Sequence, residues 1–212
     1  MERKKQKQHY FTPSPDVKLK IHTVAESLRR HMYVFKTVTG IFSFKKIDLG
    51  TMLLIEHMTI PSDKSTLLDL GCGFGPIGIV LAYESPKSQV YLTDINTRAI
   101  WCAKENIKYN LQDYKGRVFA LSGNYFEPLK NKGIKFDGIY MNPPLRQGRK
   151  EFLEVCNNVR NHLKSNGFFQ FVIKKKMGAS FVFDHLTKIY PSEIISVICK
   201  RSGYWVFKCF HD

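Results

Sequence analysis

From Leu67 onward the chain alternates short apolar runs with amphipathic stretches. Leu67-Leu68-Asp69-Leu70 reads as a buried strand closed by glycines, and residues 77–83 as a helix. Residues 89–93 give the next strand, 97–109 a helix, and 117–121 and 136–141 two further strands parted by a polar loop holding Pro128 and Gly133. A helix over 151–163, stopped at Asn166-Gly167, leads into a strand over 168–173, and another helix follows over 179–189. Repeated β-α-β units of this kind predict an α/β fold with a mostly parallel sheet and helices on both faces. The end breaks that rhythm. Strands over 193–199 and 204–210 are joined only by Lys200-Arg201-Ser202-Gly203, too short for a crossover helix, so they form an antiparallel hairpin and one strand of the sheet is reversed.

The first fifty residues follow another pattern. Val17, Ile21, Val24, Ala25 and Leu28 fall at helical spacing, predicting a basic amphipathic helix over 16–30, and residues 33–44 predict a hairpin around Thr39-Gly40. This stretch is too small for a core of its own. We read residues 1–212 as a single domain, with a basic cap over 1–50 and the α/β core over 51–212.

Composition sharpens the picture. With 43% hydrophobic and 13% aromatic residues in 212, the chain can hold its fold by packing alone. The 33 Lys plus Arg against 18 Asp plus Glu leave a net charge of +15, which points to a polyanion, nucleic acid first and an anionic membrane surface second, with bare solubility as the bland alternative. Five scattered cysteines show neither CxxC nor a Cys/His metal spacing, and read as reduced thiols in a cytoplasmic setting with no metal. No apolar stretch resembles a signal peptide or a bilayer span. Protein partners are not legible, and either a monomer or a homodimer is compatible.

The most informative stretch is Asp69-Leu70-Gly71-Cys72-Gly73-Phe74-Gly75-Pro76-Ile77-Gly78. A glycine turn between a strand and its helix lets a ligand approach the backbone, and Gly73, Gly75 and Gly78 satisfy GxGxxG. Asp69 changes the reading. A carboxylate at the strand end would repel a pyrophosphate and attract a cation. Asp94, ending the second strand 25 positions on, falls where an acidic group accepts two ribose hydroxyls. The plainer alternative makes both aspartates helix caps and the glycines a tight turn.

The fourth strand runs into Asn142-Pro143-Pro144-Leu145. Consecutive prolines hold the backbone extended and donate no hydrogen bond, so the Pro143 carbonyl and the Asn142 side-chain oxygen can both accept from one NH₂ group. Two fixed acceptors turn a conjugated amine toward tetrahedral geometry and stabilise the charge that develops when it attacks an electrophile. A proline-braced surface turn is the plainer alternative.

Strand-end Asp, then Gly-x-Gly-x-Gly, resembles the cofactor loop of class I S-adenosylmethionine-dependent methyltransferases, and Asn-Pro-Pro resembles that of members acting on planar NH₂ groups. The whole arrangement is similar to the small-domain methyltransferases that include bacterial 16S and 23S ribosomal RNA guanine-N2 enzymes, most of all to a single-domain archaeal-type branch. Supporting stretches are Gly40-Ile41-Phe42-Ser43, Asp48 with Gly50 and Thr51, the glycine loop, Asp94-Ile95-Asn96, Arg146 with Gly148, and Gly203-Tyr204. The resemblance implies a Rossmann-like seven-stranded sheet with a reversed terminal strand. It implies S-adenosylmethionine held by Asp69, Gly71, Cys72, Gly73, Gly75, Asp94, Ile95, Asn124, Tyr125, Asn142 and Thr51, and catalysis by Asn142, Pro143 and Pro144. Phe42, Ser43, Lys45, Leu145, Arg146 and Arg149 are the implied substrate contacts, with Leu145 standing where many adenine and glutamine enzymes carry an aromatic residue.

The implied reaction is methylation of an exocyclic base amine in RNA, guanine N2 of rRNA or tRNA before adenine N6 in RNA or DNA. A protein glutamine amide is the nearer alternative, a non-catalytic RNA-binding module the more distant one, and a nicotinamide oxidoreductase the least supported. The basic residues of the cap, Lys45 and Lys46, residues 146–150 and Lys174 to Lys176 are expected around one pocket mouth.

Overall fold

The computed structural model describes residues 13, 15–145, 148–190 and 195–211. Two strands, β1 (Ile21–Leu28) and β2 (His31–Val38), form an antiparallel hairpin, and α1 (Leu49–His57) leads into the α/β core. The core then runs β3 (Thr66–Leu70), α2 (Pro76–Glu84), β4 (Gln89–Asp94), α3 (Thr97–Asn110), β5 (Val118–Ser122) and β6 (Phe136–Met141). It continues with α4 (Lys150–Asn158), β7 (Leu163–Lys174), α5 (Ala179–Ile189), β8 (Ile195–Arg201) and β9 (Tyr204–Phe210).

Seven strands make one sheet in the order β5-β4-β3-β6-β7-β9-β8. The pairs among β3 to β7 are parallel, whereas β9 runs antiparallel to both β7 and β8. The reversal follows from the tight turn at Ser202 and Gly203, both at positive φ, which only a hairpin can use. Side-chain alternation along β7 divides the core. Phe168 and Val172 join a cluster with α1, α2, α3 and the hairpin, while Phe169, Phe171 and Ile173 join another with α4 and α5. The order places the carboxyl ends of β3, β4 and β6 side by side, where an open parallel sheet leaves its ligand crevice. Among the described residues no helix is long and apolar enough to cross a membrane.

Three expectations are corrected. Residues 16–30 hold no helix: β1 occupies 21–28, with Val24 and Leu28 buried and the residues between them half or fully exposed. The hairpin turns not at Thr39-Gly40 but at Arg29-Arg30, both at positive φ, and Gly40 instead packs where an added Cβ would meet Pro15 and Val17 at 2.9 Å. Nor does Asn166-Gly167 stop a helix. Helix α4 ends at Asn158, a 3₁₀ stretch follows, and Asn166, at φ 62°, lies inside β7 where the register against β6 shifts.

The hairpin is tied to α3 by asparagine side chains acting as a strand edge. Asn106 accepts from Lys36 N at 2.6 Å and donates to Lys36 O at 2.9 Å, and Asn110 does the same for Val34 at 3.1 and 2.9 Å. Spacing of four residues puts both on one helix face, matched to alternate residues of β2.

Candidate active site

The carboxyl ends of β3, β4 and β6 open into a cavity of about 420 Å³. Its floor is the glycine loop. Gly71 N and Cys72 N each donate to Thr93 O at 2.9 Å, so the loop hangs on β4, and Gly73 N donates to Asp94 Oδ2 at 2.8 Å. Gly71 and Gly73 sit at φ 74° and 56°, and a Cβ on either would meet nothing within 4 Å. Open space therefore stands in front of both glycines, as close approach of a ligand to the backbone requires.

Asp94 lines the cavity with its carboxylate held by two backbone donors, Gly73 N on Oδ2 and Asn96 N on Oδ1 at 2.8 Å. Burial pushes its pKa up, the two N–H bonds working the other way. A carboxylate has about four acceptor positions, so two remain for hydroxyl donors. Asp69 does not reach the wall. It is fully buried, its Oδ2 accepts from Gly78 N at 2.8 Å, and its Oδ1 has no protein partner among the described residues. Burial pushes its pKa up to about 7, against the Gly78 bond and with the help of Asp94. A positive charge brought near it would favour its ionised form.

Just beyond the end of β6, beside β3, stands Asn142. Its Nδ2 donates to Thr51 Oγ1 at 2.8 Å and to Asp48 Oδ2 at 3.1 Å, while Asp48 Oδ2 also accepts from Gly50 N and so caps α1. Because a carboxylate can only accept, the amide nitrogen must face Asp48, and the Asn142 carbonyl is left over. Asn142, Pro143 and Pro144 all line the cavity, and the prolines bring no donor.

Of the other site residues expected from sequence, Thr51, Cys72, Ile95, Asn124, Tyr125, Phe42 and Ser43 are on the wall. Gly75 is not: it begins α2 at φ 92°, and its Cβ position is filled by Leu92, Ile79 and Ala103. Leu145 turns away into the cluster beneath α4, as its apolar side chain dictates. Lys45 is exposed with its Nζ over the Phe44 ring, and the Arg149 guanidinium lies 4.4 Å from the Phe181 ring, both off the wall. Arg146 lies outside the described residues. Lys150, expected at the pocket mouth, enters the wall from the start of α4; sequence reasoning passed over its neighbour Glu151 and Ala99, in the first turn of α3. The signal for Glu151 is its place in the first turn of the helix that follows the proline motif, and Tyr125 Oη donates to it at 3.2 Å.

Comparison with known proteins follows the same line. The family model described as methyltransferase small domain matches residues 32–208. The chain belongs to the methyltransferase small domain family. Membership puts it among the S-adenosylmethionine-dependent methyltransferases. Bacillus subtilis YbxB, described as uncharacterized, is 31% identical over 205 residues, covering 95% of this chain and 97% of that protein. Ribosomal RNA small subunit methyltransferase C is 34% identical over 143 residues in Salmonella arizonae, covering 66% of this chain and 40% of that protein. The Shewanella pealeana protein of that name is 27% identical over 202 residues, covering 92% and 55%. The chain thus spans about half the length of these rRNA methyltransferases. Among solved structures, Thermus thermophilus 16S rRNA N2 G1207 methyltransferase, in complex with AdoMet and guanosine, superposes with a TM-score of 0.75 at 19% identity, covering 92% of this chain and 52% of that one.

The residues fit the family's cofactor. The open space before Gly71 and Gly73, the acceptor capacity left on Asp94 and the uncompensated Asp69 suit a ligand with a ribose and positive charge, and would oppose a pyrophosphate.

Proposed function

We propose that this chain methylates the exocyclic amino group of an RNA base, guanine N2 of ribosomal RNA in the first instance. The observation that carries the reading is that Asn142 and Pro143 line the cavity together, the Asn142 carbonyl left over by the bonds of its amide nitrogen and the Pro143 carbonyl, which accepts from Leu145 N at 3.0 Å, keeping a second lone pair. Asp94 would hold the ribose of S-adenosylmethionine, the open space before Gly71 and Gly73 would take its amino-acid end, and Asn124 and Ile95 would flank the adenine. When bound, the cofactor supplies an electrophilic methyl group on a sulfonium.

The chain's own residues do the rest. A base amine is a weak nucleophile because its lone pair is shared with the ring. Accepting both amine hydrogens, the Asn142 and Pro143 oxygens favour a pyramidal nitrogen and stabilise positive charge as it develops, and they do so without prior reorganisation because Asp48 and Thr51 already hold the amide. No ionised base has to remove a proton before attack. The target base must be unpaired or flipped out to present its amine. The names of the rRNA methyltransferase relatives and the net charge of +15 support RNA as the substrate.

The test is incubation with labelled cofactor and separate pools of unmodified rRNA, tRNA and DNA, followed by nucleoside mass spectrometry. N2-methylguanosine in one RNA pool is the expected product. N6-methyladenosine, or label only in protein, would replace the reading.

A further inference from the structure

We propose that Asp48 selects guanine over other amine-bearing purines by accepting its N1 hydrogen. The inference rests on the reading that the target is a base amine held by Asn142 and Pro143. Asp48 lines the same cavity as those two residues, and its Oδ2 is committed to Gly50 N at 2.9 Å and to Asn142 Nδ2 at 3.1 Å. Among the described residues nothing donates to its other oxygen, Oδ1. The carboxylate is only partly buried, so Oδ1 is the free acceptor beside the amide that faces the amine.

Guanine carries two adjacent donors on its Watson–Crick edge, the N1 hydrogen and the 2-amino group. With the amine on the Asn142 and Pro143 oxygens, N1–H lies next to it, and a carboxylate oxygen there makes a charge-assisted bond. Adenine presents the N1 lone pair beside its 6-amine, so the same carboxylate repels it. The other acidic group entering from this side, Glu151, is engaged by the Tyr125 hydroxyl, and Asp94 belongs to the glycine-loop wall. The N-terminal cap of α1 and the tie to Asn142 both use Oδ2 alone, which makes Asp48→Asn an informative substitution. An asparagine carbonyl at that position can keep both bonds, and its NH₂ then takes the place of Oδ1. The one-atom change turns the free acceptor into a donor. Asparagine caps helices as well as aspartate does, so the fold should hold.

The experiment uses a short RNA bearing the target nucleotide, located by the pool assay, as guanine or as 2-aminopurine. The latter keeps the 2-amine but has a bare N1. Single-turnover methylation by the wild type should favour guanine by roughly 10- to 100-fold, and Asp48→Asn should reverse that preference, with unchanged melting temperature. Asp48→Asn slowing both substrates by the same factor would overturn the inference, reducing Asp48 to a positioning residue for Asn142. A wild type that prefers 2-aminopurine would overturn it too. Neither result touches the amine reading, which fails separately if the wild type methylates no base amine in any pool.

Discussion

At the scale of single residues, the chemistry rests on groups whose stability cost is visible. Asp69 has a folded-state pKa of about 7 because burial disfavours its charge. An acid whose pKa is raised on folding favours the folded state below its unfolded value and loses that advantage as pH rises. The ligand-free protein should therefore lose stability from about pH 4 to about pH 7, by up to about 4 kcal/mol from this group. Asp69→Asn keeps an acceptor for Gly78 N and removes the charge, so thermal melts over that range should flatten and rise at pH 8, while cofactor affinity falls. Gly78 is a second such point. An added Cβ would lie 2.5 Å from Leu92, so Gly78→Ala should cost about 1–3 kcal/mol in denaturant melts. Much of the site was legible because its residue types are unusual for their places: a carboxylate ending a buried strand, two prolines after another. The direction of a side chain was not. Leu145 and Gly75 lie within the right motifs yet face the core, since sequence spacing does not say which side of a turn a residue takes.

At the scale of elements, the α/β rhythm was legible from Leu67 onward because each buried strand is bounded by turn residues and each helix keeps its period. The hairpin was not. Val17, Ile21, Val24, Ala25 and Leu28 fit a helix, while its actual turn uses Arg29-Arg30, residues that carry no turn signal. Arg29 is spent elsewhere: its guanidinium donates to the Ile55 and Glu56 carbonyls at 3.2 Å and so caps the end of α1. What decides for the strand is a partner some seventy residues away, the asparagine pair on α3. Asn106 also donates to Phe74 O in the glycine loop at 2.9 Å, linking hairpin, helix and cofactor loop. Asn106→Ala should cost about 2–4 kcal/mol, since it strands several buried backbone groups, and should weaken cofactor binding. Asn110→Ala should cost about 1–2 kcal/mol and leave cofactor affinity unchanged, because Asn110 touches only the hairpin and its own helix. Urea unfolding and calorimetry on the two variants would separate the effects.

At the scale of the whole molecule, part of the charge of +15 falls near the ligand edge of the sheet. Lys150 is on the cavity wall, Lys45 and Lys46 follow Phe42-Ser43, and Lys174 lies 5.3 Å over the Tyr204 ring, which itself abuts Gly50 beside Asp48. Among the described residues none of these lysines, nor Lys175 or Lys176, has a carboxylate within 4.0 Å, as holds for every described lysine except Lys36, Lys108 and Lys164. Unpaired cations gathered at the ligand edge of the sheet suit a phosphate backbone. Replacing Lys175 and Lys176 by Glu should weaken RNA binding and lower the slope of log K against log salt by about 0.7 per lost contact, with cofactor affinity unchanged. The central claim, that an acceptor pair held by Asp48 and Thr51 activates a base amine, is tested most directly by single-turnover methyl transfer to RNA by Asn142→Ala at saturating cofactor. A loss of about 10²–10³-fold in the chemical step, with cofactor binding near that of the wild type, is the predicted result. Wild-type turnover by that variant would contradict it.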